Sequence, residues 1–389
     1  MPTHPQSLPE RPNIRHLKNQ AKDLLKARGA KSVAESLFQV ARSYGFQSWP
    51  KLKAHVESLE QTSELKHAID SNDLDRVIVL MTRNPKLHQA PLGYGKDGPL
   101  TWVAECRIPW EPPGPARLAM AKWMIENGSE VHQGGDGPLM RAALVGHRSP
   151  MMELLVSHGA DVNASWHGHF PIIFAPCETI DPDALQWLLD HGADPNLSPT
   201  NALDYVIGTY SRSPERLSAC IDILLNAGVK TRYNVPPVVD LLRGRLDPGL
   251  DPALLDKRFP ELDFGATGNR SLTLKGATLL HVAAEYGFLD AARMLLDRGA
   301  DVNAPATVDA NGVGGQTPIF HAATQFYDEG RPIVQLLLDR GADLGIRVKL
   351  PGHYELPGEI VECTPLEYAQ LFPGNPSKTI ELLYSYRSA

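Results

Sequence analysis

Cysteine is scarce: Cys106, Cys177, Cys220 and Cys363 are the only four in 389 residues. None forms a C-x-x-C pair, which excludes a disulfide framework and a clustered zinc site and fits a reducing cytoplasm. Long apolar runs are missing too. None approaches the roughly 20 residues a spanning helix needs, so no membrane role is expected. The opening Met1-Pro2-Thr3-His4-Pro5 is polar and proline-rich, unlike a secretion signal. The N-x-S sequons at Asn127, Asn163, Asn196 and Asn269 then read as chance tripeptides. Catalytic signatures are absent as well: there is no P-loop, no H-E-x-x-H and no G-x-S-x-G. Gly93 to Gly98 spells G-x-G-x-x-G, but no strand precedes it and Pro99-Leu100 opens a helix behind it, so it reads as a loop. No cofactor is expected.

Charge is uneven. Residues 1–60 hold ten Lys/Arg against five Asp/Glu, net +5, and residues 61–389 hold 28 against 40, net −12. An acidic main body argues against a nucleic-acid groove along it.

What is present in plenty is repetition. Gly159-Ala160-Asp161, Gly192-Ala193-Asp194, Gly299-Ala300-Asp301 and Gly341-Ala342-Asp343 each follow an apolar run. The first two glycines are 33 residues apart, and weaker copies lie at Asn127-Gly128-Ser129 and Ala227-Gly228-Val229. The fullest copy runs Gly276-Ala277-Thr278-Leu279-Leu280-His281-Val282-Ala283-Ala284 and on to Leu295-Leu296 and Gly299. Others begin at Gln316-Thr317-Pro318 and Thr364-Pro365-Leu366. Thr before a helix caps its free N–H groups, Pro suits its first turn, and a glycine after the second helix accepts a left-handed backbone. Paired alanines let a short helix pack closely, and no single repeat can bury its apolar face alone.

This pattern resembles the ankyrin repeat. The resemblance implies an all-α fold class: an ankyrin-repeat solenoid of helix-turn-helix repeats with β-hairpin fingers, preceded by a small helical N-terminal unit. Residues 61–389 divide into about nine repeats, the second, fifth and sixth degraded. Repeat six, about 235–265, is expected to keep helices at Val238–Leu242 and Pro252–Lys257. Repeat two carries a proline-rich insertion at 107–115. Two fingers are extended, at 304–315, with an Asn311-Gly312 hairpin signal, and at 345–363.

Residues 1–60 read as a basic three-helix capping or docking unit. Its helices are expected at Asn13–Arg28, stopped by Gly29, at Ser32–Ser43, and from Ser48 to about Glu60. Gln20-Ala21-Lys22-Asp23-Leu24-Leu25 and the string Tyr44 to Leu52 resemble the leader ahead of ankyrin arrays in many bacterial proteins. That resemblance implies a cap over the end of the array and no particular chemistry.

For function, the resemblance implies a non-catalytic scaffold that binds another protein through finger tips and the concave inner-helix face. Aligned to the pattern, the exposed positions are Trp166, His167, His169 and Glu178 in repeat four, and Lys275, Glu285 and Tyr286 in repeat seven. Gln316 and Gln325 match them in repeat eight. Trp110, in the insertion, and Tyr354, in the last long finger, complete the partner-binding set. His281 and His321 are read as structural. His167-Gly168-His169 has too few ligands for a metal site on its own. A second reading is an enzyme or small-ligand binder in the concave groove, which Glu105, Glu178, Glu285 and Glu367, each near an inner-helix end, would line. A third is docking of nucleic acid or an acidic partner on the basic helices. The chain reads as a cytoplasmic monomer.

Overall fold

The computed structural model describes residues 5–106, 112–233, 235–266, 270–353, 355–372 and 377–387. In chain order the helices are α1 (Ile14–Lys26), α2 (Val33–Ser43), α3 (Trp49–Asp70), α4 (Leu74–Arg83), α5 (Pro99–Glu105), α6 (Pro115–Glu126), α7 (Gly137–Ala142) and α8 (Ser149–Ser157). The two-residue strands β1 (Ser165–Trp166) and β2 (Phe170–Pro171) follow. Next come α9 (Phe174–Thr179), α10 (Pro182–Asp190), α11 (Ala202–Gly208), α12 (Pro214–Asn226), α13 (Pro236–Leu242), α14 (Leu279–Tyr286), α15 (Leu289–Asp297), α16 (Pro318–Ala322) and α17 (Arg331–Asp339). The hairpin β3 (Val348–Pro351) and β4 (Ile360–Cys363) leads to α18 (Pro365–Gln370) and α19 (Ser377–Arg387). Two compact units emerge: residues 1–142, 150–161 and 165–168 form the first, and 143–149, 162–164 and 169–389 the second.

The first unit opens with three helices around Leu17, Ala21, Val40, Ala41, Leu52 and Val56. Asn13 caps α1, its Oδ1 accepting from Arg15 N at 2.7 Å, and Ser32 caps α2, its Oγ accepting from Glu35 N at 3.1 Å. Two boundaries differ from the sequence reading. The left-handed residue that ends α1 is Arg28, at φ 56°, rather than Gly29. The third helix does not stop near Glu60 but runs on to Asp70, so residues 60 and 61 lie inside one helix. No glycine or proline interrupts residues 51–70, and Val56, Leu65, Ala68 and Ile69 are buried along it. Beyond it the short helices α5 and α7 pack side by side, and α4 packs on α6.

In the second unit the short inner helices α9 and α11 form one pair, and α14, α16 and α18 a series. The outer helices α10 and α12, and α15 and α17, pack behind them. Gly192, Gly299 and Gly341 take φ of 87°, 96° and 86°, the left-handed turn expected after each outer helix. Repeat six is the exception. Its expected second helix is only a 3₁₀ turn at Pro252–Leu254, with Asp251 Oδ1 accepting from Ala253 N. Asp247-Pro248-Gly249 suits a turn before it and Pro260 bars continuation behind it, so only a short stretch is left for a helix.

The fingers of the last repeats join by backbone bonds. Ala306 N donates to Gln316 O at 2.9 Å, and Gly314 N to Lys349 O at 2.8 Å. The expected hairpin at Asn311-Gly312 is present: Gly312 is left-handed at φ 77° and Val308 bridges Gly314.

Candidate functional site

In the first unit the fingers meet at a buried carboxylate. Asp97 Oδ2 accepts from Trp166 Nε1 at 2.7 Å, and Asp97 Oδ1 faces His167 Nε2 at 3.0 Å. Tyr94 lies against Trp166, ring centres 5.4 Å apart, and the Arg141 guanidinium covers Tyr94 at 4.6 Å. Arg141 in turn pairs with the buried Glu105 at 2.7 Å. Glycines make the approach possible: a Cβ on Gly134, at φ +62°, would sit 2.1 Å from Asp97 Cγ. The result is a surface of Tyr94, Trp166 and His167 fixed by ion pairs and hydrogen bonds. Trp102 serves the interior instead, donating Nε1–H to Asp70 Oδ1 at 2.7 Å under the Lys66 ammonium.

In the second unit a buried charge cluster sits at the end of α14. This helix is Leu-Leu-His-Val-Ala-Ala-Glu-Tyr, so Glu285 is its one carboxylate. Glu285 Oε1 accepts from Arg212 Nη2 and Arg270 Nη2, both at 2.7 Å. Glu285 Oε2 accepts from Arg270 Nη2 at 2.6 Å and from His321 Nδ1 at 2.7 Å. The carboxylate can only accept, so His321 carries its proton on Nδ1. Burial alone would raise the Glu285 carboxyl, but Arg270 and Arg212 overcome it and hold the group well below the ordinary carboxylate range. Burial pulls His321 down, and it is neutral near pH 7.

Arg212 comes from the lengthened turn after α11. Its guanidinium stacks on Tyr286 at 4.3 Å and donates to Thr209 O at 2.5 Å and Gly265 O at 3.3 Å. Tyr286 Oη donates to Ile207 O at 2.5 Å, tying α14 to α11. His281 has a different task. It receives the Thr278 N–H on Nδ1 at 3.2 Å and donates from Nε2 to Gln316 O at 2.9 Å, which closes a capping box. Burial lowers it to about 3.

Over this base runs a groove of about 570 Å³, lined among others by Thr179, Tyr210, Arg212, Phe326, Tyr327 and Glu329. A second hollow of about 290 Å³ shares Arg212, Ser213 and Glu329 with it and reaches Glu285, Tyr286 and Gln325. Tyr210 is 50% and Tyr327 85% exposed on its walls. Tyr210 is held by its Oη, which donates to Glu178 Oε1 at 2.7 Å. Tyr327 and Asp328 are both left-handed, at φ 54° and 61°, so the turn presents the ring at a conformational cost.

The residues expected at the surface thus divide. His167, His169 and Lys275 are exposed, and Trp166 and Glu178 are half-buried. Glu285, Tyr286, Gln316 and Gln325 are buried, contrary to expectation, because Glu285 and Tyr286 anchor the base of the groove and Gln325 Nε2 bonds His321 O at 2.9 Å. Gln316 offers its backbone carbonyl to His281. Trp110 and Tyr354 lie outside the described residues. Among the carboxylates, Glu105 and Glu367 pair with Arg141 and Arg347. Sequence reasoning missed Arg212, Arg270, Tyr210 and Tyr327. A charge isolated on an apolar helix was the available signal that Glu285 must have cationic partners.

The model of the family described as ankyrin repeats (3 copies) matches residues 116–198 and 259–348. No curated protein matches the chain. Among known structures, the crystal structure of the human ASB11 ankyrin repeat domain is similar at 22% identity, covering 74% of this chain and 97% of that one, with a TM-score of 0.32. The left-handed glycines Gly159, Gly192, Gly299 and Gly341 fall inside the matched segments, and residues 116–198 and 259–348 are ankyrin repeats.

Proposed function

We propose that this protein is a non-catalytic scaffold that holds a segment of another protein in the groove between residues 209–216 and 326–330. Ankyrin repeats generally serve as protein-interaction modules. The observation that carries the reading is the pairing of two exposed tyrosines, Tyr210 and Tyr327, with a base made rigid by Arg212 and Glu285. Tyrosine ordered before binding gives contact area at little entropic cost, and such residues dominate interface energies. Glu285 acts here as a structural anion, since Arg212, Arg270 and His321 occupy both of its oxygens. The surface of Tyr94, Trp166 and His167 offers a further contact of the same kind. The three N-terminal helices serve as the cap of the array, with their lysines and arginines facing water.

The test is affinity capture with the whole chain against a Tyr210→Ala, Tyr327→Ala double variant. Partners held by the groove drop by about tenfold or more in the variant, as loss of two aromatic anchors predicts. An unchanged partner set overturns the groove as the recognition surface.

A further inference from the structure

The last long finger ends in the hairpin of β3 and β4, whose register pairs Val348 with Cys363, Lys349 with Glu362, Leu350 with Val361 and Pro351 with Ile360. In an antiparallel pair the N–H and C=O of one residue point to the same side, and the side alternates along the strand. Three bonds set the phase. Lys349 O accepts from Gly314 N at 2.8 Å, on the side away from β4. Pro351 O accepts from Tyr368 Oη at 2.9 Å, again away from β4. Gly352 N donates to Glu359 O at 3.0 Å, across the hairpin. Leu350 and Val361 therefore exchange bonds with each other, and Ile360 and Glu362 turn their N–H and C=O groups outward.

The two edges are treated differently. The outer side of β3 is covered, at Lys349 by Gly314 and at His353 by Arg270. On the outer side of β4 the Arg347 side chain takes Glu362 O at 3.0 Å. Among the described residues nothing pairs with the Ile360 N–H and C=O or the Glu362 N–H. Ile360 is 47% exposed on this edge, and Leu356, in the turn of the hairpin, is 57% exposed. Glu359 and Glu362 are exposed along the same hairpin, while Glu355 faces His353 at 3.8 Å and Arg347 is engaged by Glu367 at 2.8 Å.

We propose that the outer edge of β4 is a strand-addition site for an extended segment of a partner protein in which basic residues alternate with β-branched ones. The edge supplies two donors and an acceptor for main-chain pairing. Ile360 supplies apolar contact, and Glu359 and Glu362 select lysine or arginine at the alternate positions. This site is separate from the groove of Tyr210 and Tyr327 and does not depend on it.

The probe is an N-acetylated hexapeptide of alternating lysine and valine, titrated against the whole chain by isothermal calorimetry. Ile360→Pro removes the outward N–H without touching a bond inside the sheet, since proline is tolerated where the amide faces out. It leaves every charge in place, so it separates strand pairing from general attraction to an acidic surface. The expected result is a loss of affinity of about tenfold or more in Ile360→Pro, from one main-chain hydrogen bond together with the Ile360 side-chain contact. In the wild-type chain, amide exchange at Ile360 and Glu362 slows by about tenfold when the peptide binds, a readout that needs no variant. Absence of binding, equal affinity in Ile360→Pro, or unchanged exchange at both amides overturns the proposal.

Discussion

Glu285 is the one carboxylate of its helix, next to its last residue, and two guanidiniums and an imidazole converge on it. Removing the charge while keeping the shape, as in Glu285→Gln, leaves Arg212 and Arg270 buried against a neutral amide. Breaking such a buried set costs about 3–5 kcal/mol, so the urea midpoint of the variant falls sharply. Tyr327 carries the opposite kind of trade. Its left-handed backbone at φ 54° is unfavourable for any side chain, yet the ring is almost wholly exposed. Tyr327→Gly relieves that conformation and raises stability by about 1 kcal/mol, while capture of the groove partner weakens. Thermal unfolding and affinity capture on the same preparation check both halves. A variant that loses stability means the turn is held by contacts of the ring rather than strained by it.

Elements here are decided by few residues. Repeat six has proline and glycine on either side of the stretch where an outer helix would run, and that stretch holds one 3₁₀ turn. The fingers depend on glycines in the same way. In Gly134→Ala the new methyl meets Asp97, the group that holds Trp166 and His167. Clash and left-handed backbone together cost about 2 kcal/mol or more. The near-ultraviolet circular dichroism of Trp166 changes with it, and a native spectrum in the variant contradicts this role for Gly134. The turn chemistry and caps of these elements were legible in the chain: Thr278 and Thr364 begin their helices as capping boxes. The length of α3 was less so, because nothing in residues 51–70 marks a join and burial alone carries the helix through.

At the scale of the whole molecule, the buried ionisable groups of the second unit make its stability depend on pH. His281 is lowered from 6.5 to about 3, and His321 is lowered as well. A lowered histidine means that the unfolded chain binds the proton first. Stability from these groups is full above pH 6.5 and falls as pH drops below it, by up to about 1.4 kcal/mol per pH unit for each group. Glu285 is lowered from 4.5, so its contribution is present above that value and is lost on further acidification through its folded value. The urea midpoint is therefore expected to be level above pH 7 and to decline steadily from pH 6.5 to 4. A level midpoint down to pH 5 would contradict a neutral, buried His281.

The sequence by itself determined the repeat, its period, the capped inner helices and the glycines that end the outer ones. Each of these depends on residues within a turn or two of one another, where spacing and backbone preference are sufficient. Only the tertiary structure decided which polar residues are surface and which are foundation. Arg212 lies 73 residues from Glu285, and Tyr286 bonds a carbonyl 79 residues before it. Aligning positions to a regular repeat placed Glu285 and Tyr286 outside, because it assumed regular neighbours. The irregular turn of repeat five and the coil of repeat six bring Arg212 and Gly265 over them instead, and burial follows from those neighbours rather than from the local pattern.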